Sequence, residues 1–232
     1  MDLLLLGYGK MNRLVAEMAA EQGHRVVKTL DVGDAWTSGW SPALVAIDFS
    51  VAGAVPEHVE RCMAAGIPLI IGTTGWLEHL ETVRAQVEPA AVGAVYGANF
   101  SVGVQAFYCG VRALAAALPA SYEGFVWEAH HRQKKDAPSG TALELARILD
   151  AAGHPVAAGN VASTRAGSLA GTHTVGFDSP EDTLTFTHTA RSRRGFAAGA
   201  LLAAHWILGR RGLHEFAAVF PDIIAAAPRS AE

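Results

Sequence analysis

The sequence has few of the features that direct a chain to nucleic acid, to a membrane or into a secretory route. Charged residues make up 17% of its 232 residues and the formal net charge is −4, so it lacks the basic surface that binds nucleic acid. Its alanine-rich stretches are broken by charge, glycine or proline well before the roughly 20 apolar residues of a membrane span. The opening run Leu3–Leu6 is too short for a signal-peptide core and follows an acidic residue. We therefore expect a small-molecule ligand, a cytoplasmic location and no membrane or nucleic-acid partner.

Cysteine is scarce as well. Cys62 and Cys109 lie inside apolar helical patterns, without the spacing of a metal or redox motif. We expect both to be buried, reduced thiols, and we expect no disulfide. Hydrophobic residues make up 50% of the chain, which favours a compact globular protein over a disordered one.

The first ~100 residues alternate short apolar runs with segments of helical spacing. Strands are predicted at Leu3–Leu6, Val26–Leu30, Leu44–Ile47, Ile67–Ile71 and Val92–Val95, and helices at Met11–Gln22, Pro56–Ala65 and Trp76–Val87. Strands that alternate with helices form right-handed βαβ units. The fold class predicted here is α/β, with a doubly wound parallel sheet.

The pattern changes after residue 98. Helices are predicted at Val102–Leu118, Ser139–Ala152 and Gly199–Leu208, a strand at Tyr122–Ala129, irregular structure with edge strands over Gly153–Pro180, and a half-buried antiparallel strand at Thr183–Thr189 with Phe196 in its partner. We interpret this as a second α+β domain with a mixed or antiparallel sheet. The predicted domains are residues 1–98, with 208–232 as a candidate completion, and residues 99–207.

A glycine-rich segment follows the first predicted strand and opens the first predicted helix. Gly7 and Gly9 let the backbone turn tightly and approach a pyrophosphate, which the helix N-terminus binds through its N–H groups. Asn12 replaces the third glycine of the usual fingerprint. Asp31 closes the second strand, where a carboxylate accepts hydrogen bonds from ribose hydroxyls. We predict a dinucleotide site, although an ordinary glycine-rich turn beside a solvated carboxylate would show the same residues.

Two further strand ends lead to the same crevice. Residues 70–75 end the fourth strand and residues 96–100 end the fifth, and ligands of open α/β sheets bind outside the carboxyl ends of strands. Small residues there leave space for a nicotinamide ribose. Each segment taken singly is also consistent with turn glycines and capping threonines.

The segment 128–142 concentrates the candidate catalytic chemistry. His130 and His131 are candidate proton donors, and Lys134 lies four residues after His130, so both can face one cleft if the turn is tight. Ser139 is the expected N-cap of a helix whose free N–H groups suit a carboxylate. The segment predicts an anionic substrate that accepts a proton; the alternative is a solvated polar loop. No metal is expected, because adjacent histidines rarely converge on one ion.

Motifs spread along the whole chain are shared with one known family. They are the Gly7 loop, Asp48-Phe49-Ser50, Gly72–Gly75, Ala98–Ser101, Glu128–Ala142 and the stretch from His188 to Ala200. The sequence resembles the dihydrodipicolinate reductases of bacterial and plant lysine biosynthesis. The resemblance implies an NAD(P)H-dependent oxidoreductase that reduces 4-hydroxy-tetrahydrodipicolinate to tetrahydrodipicolinate on the route to diaminopimelate and lysine. It also implies a Rossmann domain, a substrate domain and a homotetramer built through the sheets of the second domain.

The resemblance also implies roles for individual residues. His130 would be the proton donor and Lys134 a second donor, with His131, Gly140 and Thr141 as substrate contacts. The implied cofactor contacts are Gly7, Tyr8, Gly9, Lys10, Met11, Asn12, Asp31, Gly72, Thr73, Thr74, Gly97, Ala98, Asn99 and Phe100.

The chain departs from the family pattern at two positions. Asn12 stands in the pyrophosphate loop where a glycine is usual, so the start of the helix is expected to be packed more loosely or capped differently. Phe125 stands where the family usually has a glutamate, which changes a local strand contact. The chain is also short for the family, which indicates trimmed loops and no lost domain.

Asp31 favours NADH over NADPH without excluding NADPH, because a 2′-phosphate would meet a like charge and no arginine follows Asp31. Two other functions are compatible with the N-terminal motifs. A sugar or amino-acid dehydrogenase would need another proton donor and would not need Pro138–Thr141. A non-catalytic NAD(H) sensor would be expected to carry a basic DNA-reading helix, which neither half of the sequence offers.

Overall fold

The computed structural model describes residues 1–31, 33–36, 43–156 and 160–227. The strands are β1 (Asp2–Leu6), β2 (Arg25–Leu30), β3 (Leu44–Asp48), β4 (Leu69–Ile71), β5 (Gly93–Tyr96), β6 (Glu123–His130), β7 (Val161–Arg165), β8 (Thr172–Asp178), β9 (Thr183–Thr189) and β10 (Gly212–Glu215). The helices are α1 (Lys10–Glu21), α2 (Val55–Ala64), α3 (Leu80–Val87), α4 (Val102–Ala117), α5 (Gly140–Ala151), α6 (Arg194–Trp206) and α7 (Phe216–Ala226). No helix among these residues is long and apolar enough to cross a membrane.

The chain divides into two compact units. The first consists of Met1–Val102 together with Arg193–Glu232, and the second is Gly103–Ser192. The first unit contains a six-stranded parallel sheet in the order β10-β5-β4-β3-β1-β2. The five predicted N-terminal strands and the doubly wound α/β class are confirmed. The segment after residue 208 adds β10 at the edge beside β5.

Both faces of this parallel sheet are covered. Alternate residues of β1 enter different cores, because side chains of a strand point to opposite faces in turn. Leu3 and Leu5 pack with residues of α1, α6 and α7, whereas Leu4 and Leu6 pack with residues of α2 and α3. All four leucines are fully buried, and each contributes about 1.5–3 kcal/mol of hydrophobic free energy. The continuous apolar run at the N-terminus is therefore a central strand buried on both sides.

Helix α6 corrects one prediction. Phe196 was expected in a strand beside Thr183–Thr189, but it lies in the first turn of α6. Gly199 lets the helix approach the segment after β5 closely, because a Cβ added there would stand only 1.8 Å from the backbone oxygen of Phe100. The predicted helix Trp76–Val87 also differs, since a short 3₁₀ turn, Leu77–His79, precedes α3.

The second unit contains a four-stranded mixed sheet in the order β7-β6-β8-β9. Strand β6 pairs parallel with β7 and antiparallel with β8, which pairs antiparallel with β9. The apolar face, with Val126, Val175 and Phe177, forms one core with residues of α4 and α5. The segment Gly153–Pro180 was expected to be irregular with edge strands, but β8 lies inside the sheet. Its buried residues His173, Val175 and Phe177 alternate with Thr172, Thr174 and Gly176, and the histidine and glycine obscure that alternation in the sequence.

Two smaller expectations also change. Cys62 is buried and burial raises the pKa of its thiol, but Cys109 is exposed on the outer side of α4, and both are free. Strand β9 is not half-buried, because it is an edge strand whose residues are almost all exposed. The ring of Phe125 lies against Gly176 on the neighbouring strand, where a Cβ would overlap it at 2.0 Å.

Candidate active site

The glycine loop of the first unit leaves the N-terminus of α1 open. Gly7 has a φ of +79°, and a Cβ there would lie 2.9 Å from Ser50 Cα, so the turn requires glycine. Gly9 is the N-cap of α1, and no side chain among the described residues caps it. A Cβ at Gly9 would meet nothing within 4 Å. Uncapped N–H groups beside open space are the arrangement that binds a phosphate, so these residues fit a pyrophosphate.

Asn12 replaces the packing function of the third glycine with hydrogen bonds. Its side chain is fully buried, and its Nδ2 donates to the backbone oxygens of Leu6 and Gly7, each at 2.8 Å. These bonds join the first turn of α1 to the end of β1. They cap none of the N–H groups of α1, so the expectation of a different cap is wrong.

The other predicted cofactor residues follow the carboxyl ends of neighbouring parallel strands. Asp31 follows β2 and is exposed, residues 72–74 follow β4, and residues 97–100 follow β5. Phe100 is 1% exposed and packs in the core, so it offers a ligand very little surface. The structure thus brings to one edge of the sheet Gly7, Tyr8, Gly9, Lys10, Met11, Asn12, Asp31, Gly72, Thr73, Thr74, Gly97, Ala98, Asn99 and Phe100.

A buried carboxylate holds the loops at this edge in place. Asp48, the last residue of β3, is fully buried, and its Oδ1 accepts hydrogen bonds from Ser50 N at 2.9 Å and Thr73 Oγ1 at 2.8 Å. Its Oδ2 lies 2.8 Å from His58 Nδ1. Sequence reasoning noted Asp48 only within a shared motif. The bonds to Ser50 and Thr73 show that it joins the loop after β3 to the loop after β4.

In the second unit, the candidate catalytic side chains begin on β6. Glu128 and His130 are two residues apart on the strand and so point to the same face. Glu128 is fully buried, with Oε2 lying 2.5 Å from His130 Nδ1. Its Oε1 lies 2.6 Å from Arg165 Nη2 and accepts a hydrogen bond from Ser139 N at 3.3 Å. One carboxylate therefore contacts the predicted proton donor, a cation and the start of α5.

The surroundings of Glu128 keep it ionised. Burial alone would raise its pKa. Hydrogen bonds from Ser163, Arg165 and Ser139 outweigh burial and lower the pKa of Glu128 to about 2, with the charge of His130 acting in the same direction. Glu128 is therefore a fixed negative charge at neutral pH.

A second histidine lies beside His130. The ring of His173 on β8 lies 5.0 Å from that of His130 between centroids, at an interplanar angle of 70°, and its Nε2 lies 3.1 Å from Ser139 Oγ. Burial, together with the charge of His130, lowers the pKa of His173 to about 4. Burial also lowers the pKa of His130, against the opposing effect of Glu128. Both shifts favour the neutral ring at pH 7, and at His130 the carboxylate of Glu128 opposes the effect of burial.

Lys134 lies in the turn after β6, and its Nζ lies 2.8 Å from Asp136 Oδ2. The positive charge of Lys134 lowers the pKa of His130, which places the two predicted proton donors within electrostatic reach. The backbone oxygen of Asp136 accepts a hydrogen bond from Arg165 Nη2 at 2.5 Å. Lys134, His130 and Arg165 thus surround one site with potential positive charge.

The N-terminus of α5 completes the site. Ser139 is its N-cap, as predicted, and Ser139 Oγ accepts the Ala142 N–H at 3.2 Å. Gly140 is exposed, and a Cβ there would meet nothing within 4 Å. Thr141 hydrogen-bonds with Tyr108, a tyrosine whose pKa burial raises to about 12. Open N–H groups at Gly140 fit a carboxylate.

Sequence reasoning missed Arg165 and His173. They lie on β7 and β8, and the sheet register places them opposite His130 and Glu128, respectively. The pairing of strands so distant in sequence cannot be read from local pattern. Glu128, His130 and His173 also form a group, among the described residues, whose ligand atoms lie within 4.8 Å of one another and could hold a metal ion. Arg165 already neutralises Glu128, so a divalent cation would meet a like charge there.

Comparisons with known proteins cover both units. The family model described as "Dihydrodipicolinate reductase, N-terminus" matches residues 1–100, and "Dihydrodipicolinate reductase, C-terminus" matches residues 103–220. A 4-hydroxy-tetrahydrodipicolinate reductase of Christiangramia forsetii is 34% identical over 96% of this chain and 99% of its own. The protein of the same name from Methanoculleus marisnigri is 43% identical over 72% of this chain and 71% of its own.

Solved structures show the same fold. The dipicolinate-bound dihydrodipicolinate reductase from Paenisporosarcina sp. TG-14 aligns with a TM-score of 0.77 at 20% identity, covering 94% of this chain and 99% of its own. An engineered D-amino acid dehydrogenase bound to NADP⁺ aligns with a TM-score of 0.59 at 12% identity, covering 98% and 97%.

Proposed function

The chain belongs to the dihydrodipicolinate reductase family, and from this premise we propose that it reduces 4-hydroxy-tetrahydrodipicolinate to tetrahydrodipicolinate with a reduced nicotinamide dinucleotide. It is an oxidoreductase with a dinucleotide-binding fold, and the proposed reaction places it in the biosynthesis of diaminopimelate and lysine. The observation that carries the proposal is the pairing of His130 with buried Glu128 beside the open N-terminus of α5. That arrangement provides a proton and an anion-binding site together.

The two units supply different parts of the chemistry. We assign the dinucleotide to the first unit, where the N-terminus of α1 fits the pyrophosphate and Asp31 is exposed for the ribose hydroxyls. We assign the substrate to the second unit. The 4-hydroxyl of the substrate leaves as water to give a conjugated imine, and the reduced nicotinamide, when bound, would supply the hydride for one carbon of it.

The side chains of the second unit supply the proton and orient the substrate. Protonated His130 donates to the carbon next to the one that is reduced, and Lys134 is a second donor that also attracts the dianionic substrate. The backbone N–H groups at Gly140 and Thr141, with His131, hold a carboxylate. Orientation of this kind contributes to catalysis by replacing a bimolecular encounter with a positioned one.

The test is direct. Purified protein is mixed with NADH and with the dicarboxylate substrate generated in situ, and the loss of NADH absorbance is followed. We expect a loss that depends on substrate and that falls strongly in the His130→Gln variant. NADH that binds without being consumed in the presence of substrate would contradict the proposal and would favour a nucleotide sensor.

For the cofactor, we propose that NADH is preferred and NADPH is also accepted. The supporting features are the exposed carboxylate of Asp31 at the end of β2 and the absence of an arginine directly after it in the sequence. Lys10, exposed in the glycine loop, reduces the repulsion of a 2′-phosphate.

For the assembly, we propose a cytoplasmic homotetramer that forms through the second sheet. The face of this sheet opposite α4 and α5 carries Trp127, which is 38% exposed, and paired threonine rows such as Thr174 and Thr187, whose hydroxyls lie 2.8 Å apart. An exposed aromatic residue among short polar ones suits burial against a second copy. Light scattering should give four chains for the wild type and fewer for Trp127→Asp. A monomeric wild type would contradict this assembly.

A further inference from the structure

The surroundings of His130 distinguish its two ring nitrogens. Nδ1 lies 2.5 Å from Glu128 Oε2. Nε2 faces Gly171, where a Cβ would stand 3.1 Å from it. Gly171 has a φ of +140°, a backbone conformation that favours glycine. A residue without a side chain therefore leaves Nε2 uncovered, while a carboxylate contacts Nδ1.

Glu128 is held so that it stays charged and in one position. Arg165 Nη2 lies 2.6 Å from its Oε1, and the same oxygen accepts the Ser139 N–H. A fully buried carboxylate without such partners would be strongly destabilising. Because Arg165 and Ser139 both bind Oε1, Oε2 remains for His130.

We infer that Glu128 is a positioning residue for proton transfer. Fixed by Arg165, its carboxylate accepts a hydrogen bond from the Nδ1–H of His130, which leaves Nε2 as the atom that donates the proton. The inference rests on the proposed function only for the identity of the proton acceptor. In the transfer, the Nε2–H bond breaks as a C–H bond forms on the substrate. His130 is left neutral with its proton on Nδ1, and solvent restores the proton on Nε2.

Charges around His130 act on its protonation in known directions. After burial, which disfavours the charged ring, the negative charge of Glu128 raises the pKa of His130 and the positive charges of Lys134 and Arg165 lower it. The ionisable groups that face this site are Glu128 on β6, Arg165 on β7, His173 on β8, His188 on β9, and His131, Lys134 and Asp136 in the loop after β6.

The kinetic test uses two variants with opposite expectations. A proton donor must be protonated, so kcat/KM falls as pH rises through the pKa of His130. In Glu128→Gln the fall should begin at lower pH, because the charge that raises the pKa is gone. In Arg165→Gln it should begin at higher pH. Glu123→Gln is the matched control and should leave the profile unchanged, because Glu123 is exposed and lies on the same strand about 17 Å from Glu128.

The size of the loss in kcat is a second readout. At neutral pH, Glu128→Gln should lose part of the roughly 10²–10⁴-fold in kcat that a positioned proton donor contributes, with little change in KM. Glu128→Asp, which restores the charge, should move the pH profile back toward wild type. Shifts of the two profiles in the same direction, or a Glu128→Gln profile that matches wild type, would overturn the inference.

Nuclear magnetic resonance of the histidine rings separates this inference from the proposed reaction. In ¹⁵N-labelled protein without substrate, the His130 signals are assigned by their loss in His130→Gln. We expect the neutral ring to carry its proton on Nδ1 in wild type, and its titration to move to lower pH in Glu128→Gln. A proton on Nε2 in the neutral wild-type ring would overturn the inference even if the protein proves to be a reductase. If the reductase assay fails, the tautomer still tests the role of Glu128. If the Arg165→Gln variant does not fold, the titration of His130 in Glu128→Gln tests the inference by itself.

Discussion

Asp48 Oδ2 lies 2.8 Å from His58 Nδ1, so that a fully buried carboxylate at the end of β3 is paired with a histidine of α2. Its other oxygen binds the loops after β3 and β4 through Ser50 and Thr73. The loop after β1 in turn packs against Ser50 at Gly7. Asp48 therefore stabilises two of the segments assigned to the dinucleotide, the Gly7 loop and the loop after β4.

The first prediction concerns Asp48. Asp48→Ala should lower the free energy of unfolding by about 3–5 kcal/mol, because it leaves several buried donors unpaired. The affinity for NADH should fall with it. Urea unfolding and NADH fluorescence titration measure the two effects. Asp2→Ala, which removes an exposed ion pair with Arg25, is the control and should stay near wild type; equal losses in both variants would contradict the role given to Asp48.

The second prediction concerns the proton donor. His130→Gln should keep its affinity for NADH and lose kcat by roughly 10²–10⁴, the contribution of a positioned general acid. Steady-state kinetics between about pH 6 and 8, where histidine titrates, test it. His79→Gln, at an exposed histidine of the first unit, is the control. A His130→Gln enzyme with near-normal kcat would rule out the assignment.

The third prediction separates two substrate contacts. Lys134→Ala should reduce kcat and raise KM, because a cation beside a dianion contributes to binding and to proton supply. Thr141→Val should mainly raise KM, although it also removes the bond to Tyr108. The exposed neighbour Lys135→Ala is the control for loss of charge. A larger loss of kcat in Thr141→Val than in Lys134→Ala would show that the roles are wrong.

The fourth prediction concerns cofactor choice. The wild type should prefer NADH by a few-fold to tens-fold, since an exposed like-charge contact costs on the order of 1 kcal/mol and ~1.4 kcal/mol is tenfold. Asp31→Ser should reduce the ratio of kcat/KM with NADH to kcat/KM with NADPH. Asp2→Ser, at the opposite end of a neighbouring strand, should leave this ratio unchanged. A wild type that prefers NADPH, or an unchanged ratio in Asp31→Ser, would refute the role of Asp31.

The fifth prediction follows from the pKa of Glu128. Because that pKa is lowered from 4.5 to about 2, the ionised form stabilises the fold above about pH 4.5, and this contribution is lost as pH falls toward 2. The contribution is about 3 kcal/mol, at about 1.4 kcal/mol per unit. Urea unfolding of the wild type between those pH values should show this decline, and Glu128→Gln should show a smaller one. If the stability of the wild type and of Glu128→Gln fell equally over this pH range, the low pKa of Glu128 would be contradicted.

Much of the first unit follows from local pattern. Runs such as Leu3–Leu6 are buried on both faces, so they are continuous in the sequence and recognisable. The glycine loop and the Ser139 N-cap depend on backbone conformation and on neighbours within a few residues, which a sequence states directly. The fold class, the family and the reductase function were accordingly confirmed, while the roles of individual site residues stay predictions.

The arrangement around His130 was decided by the tertiary structure. Arg165 is 37 residues from Glu128 in sequence, and their contact exists because β7 pairs with β6 in a particular register. His173 reaches the same carboxylate through the register of β8. A shift of one residue would turn each side chain to the other face of the sheet. Local sequence determines which residues form strands, but only the packing of distant segments sets that register and therefore the charge beside His130.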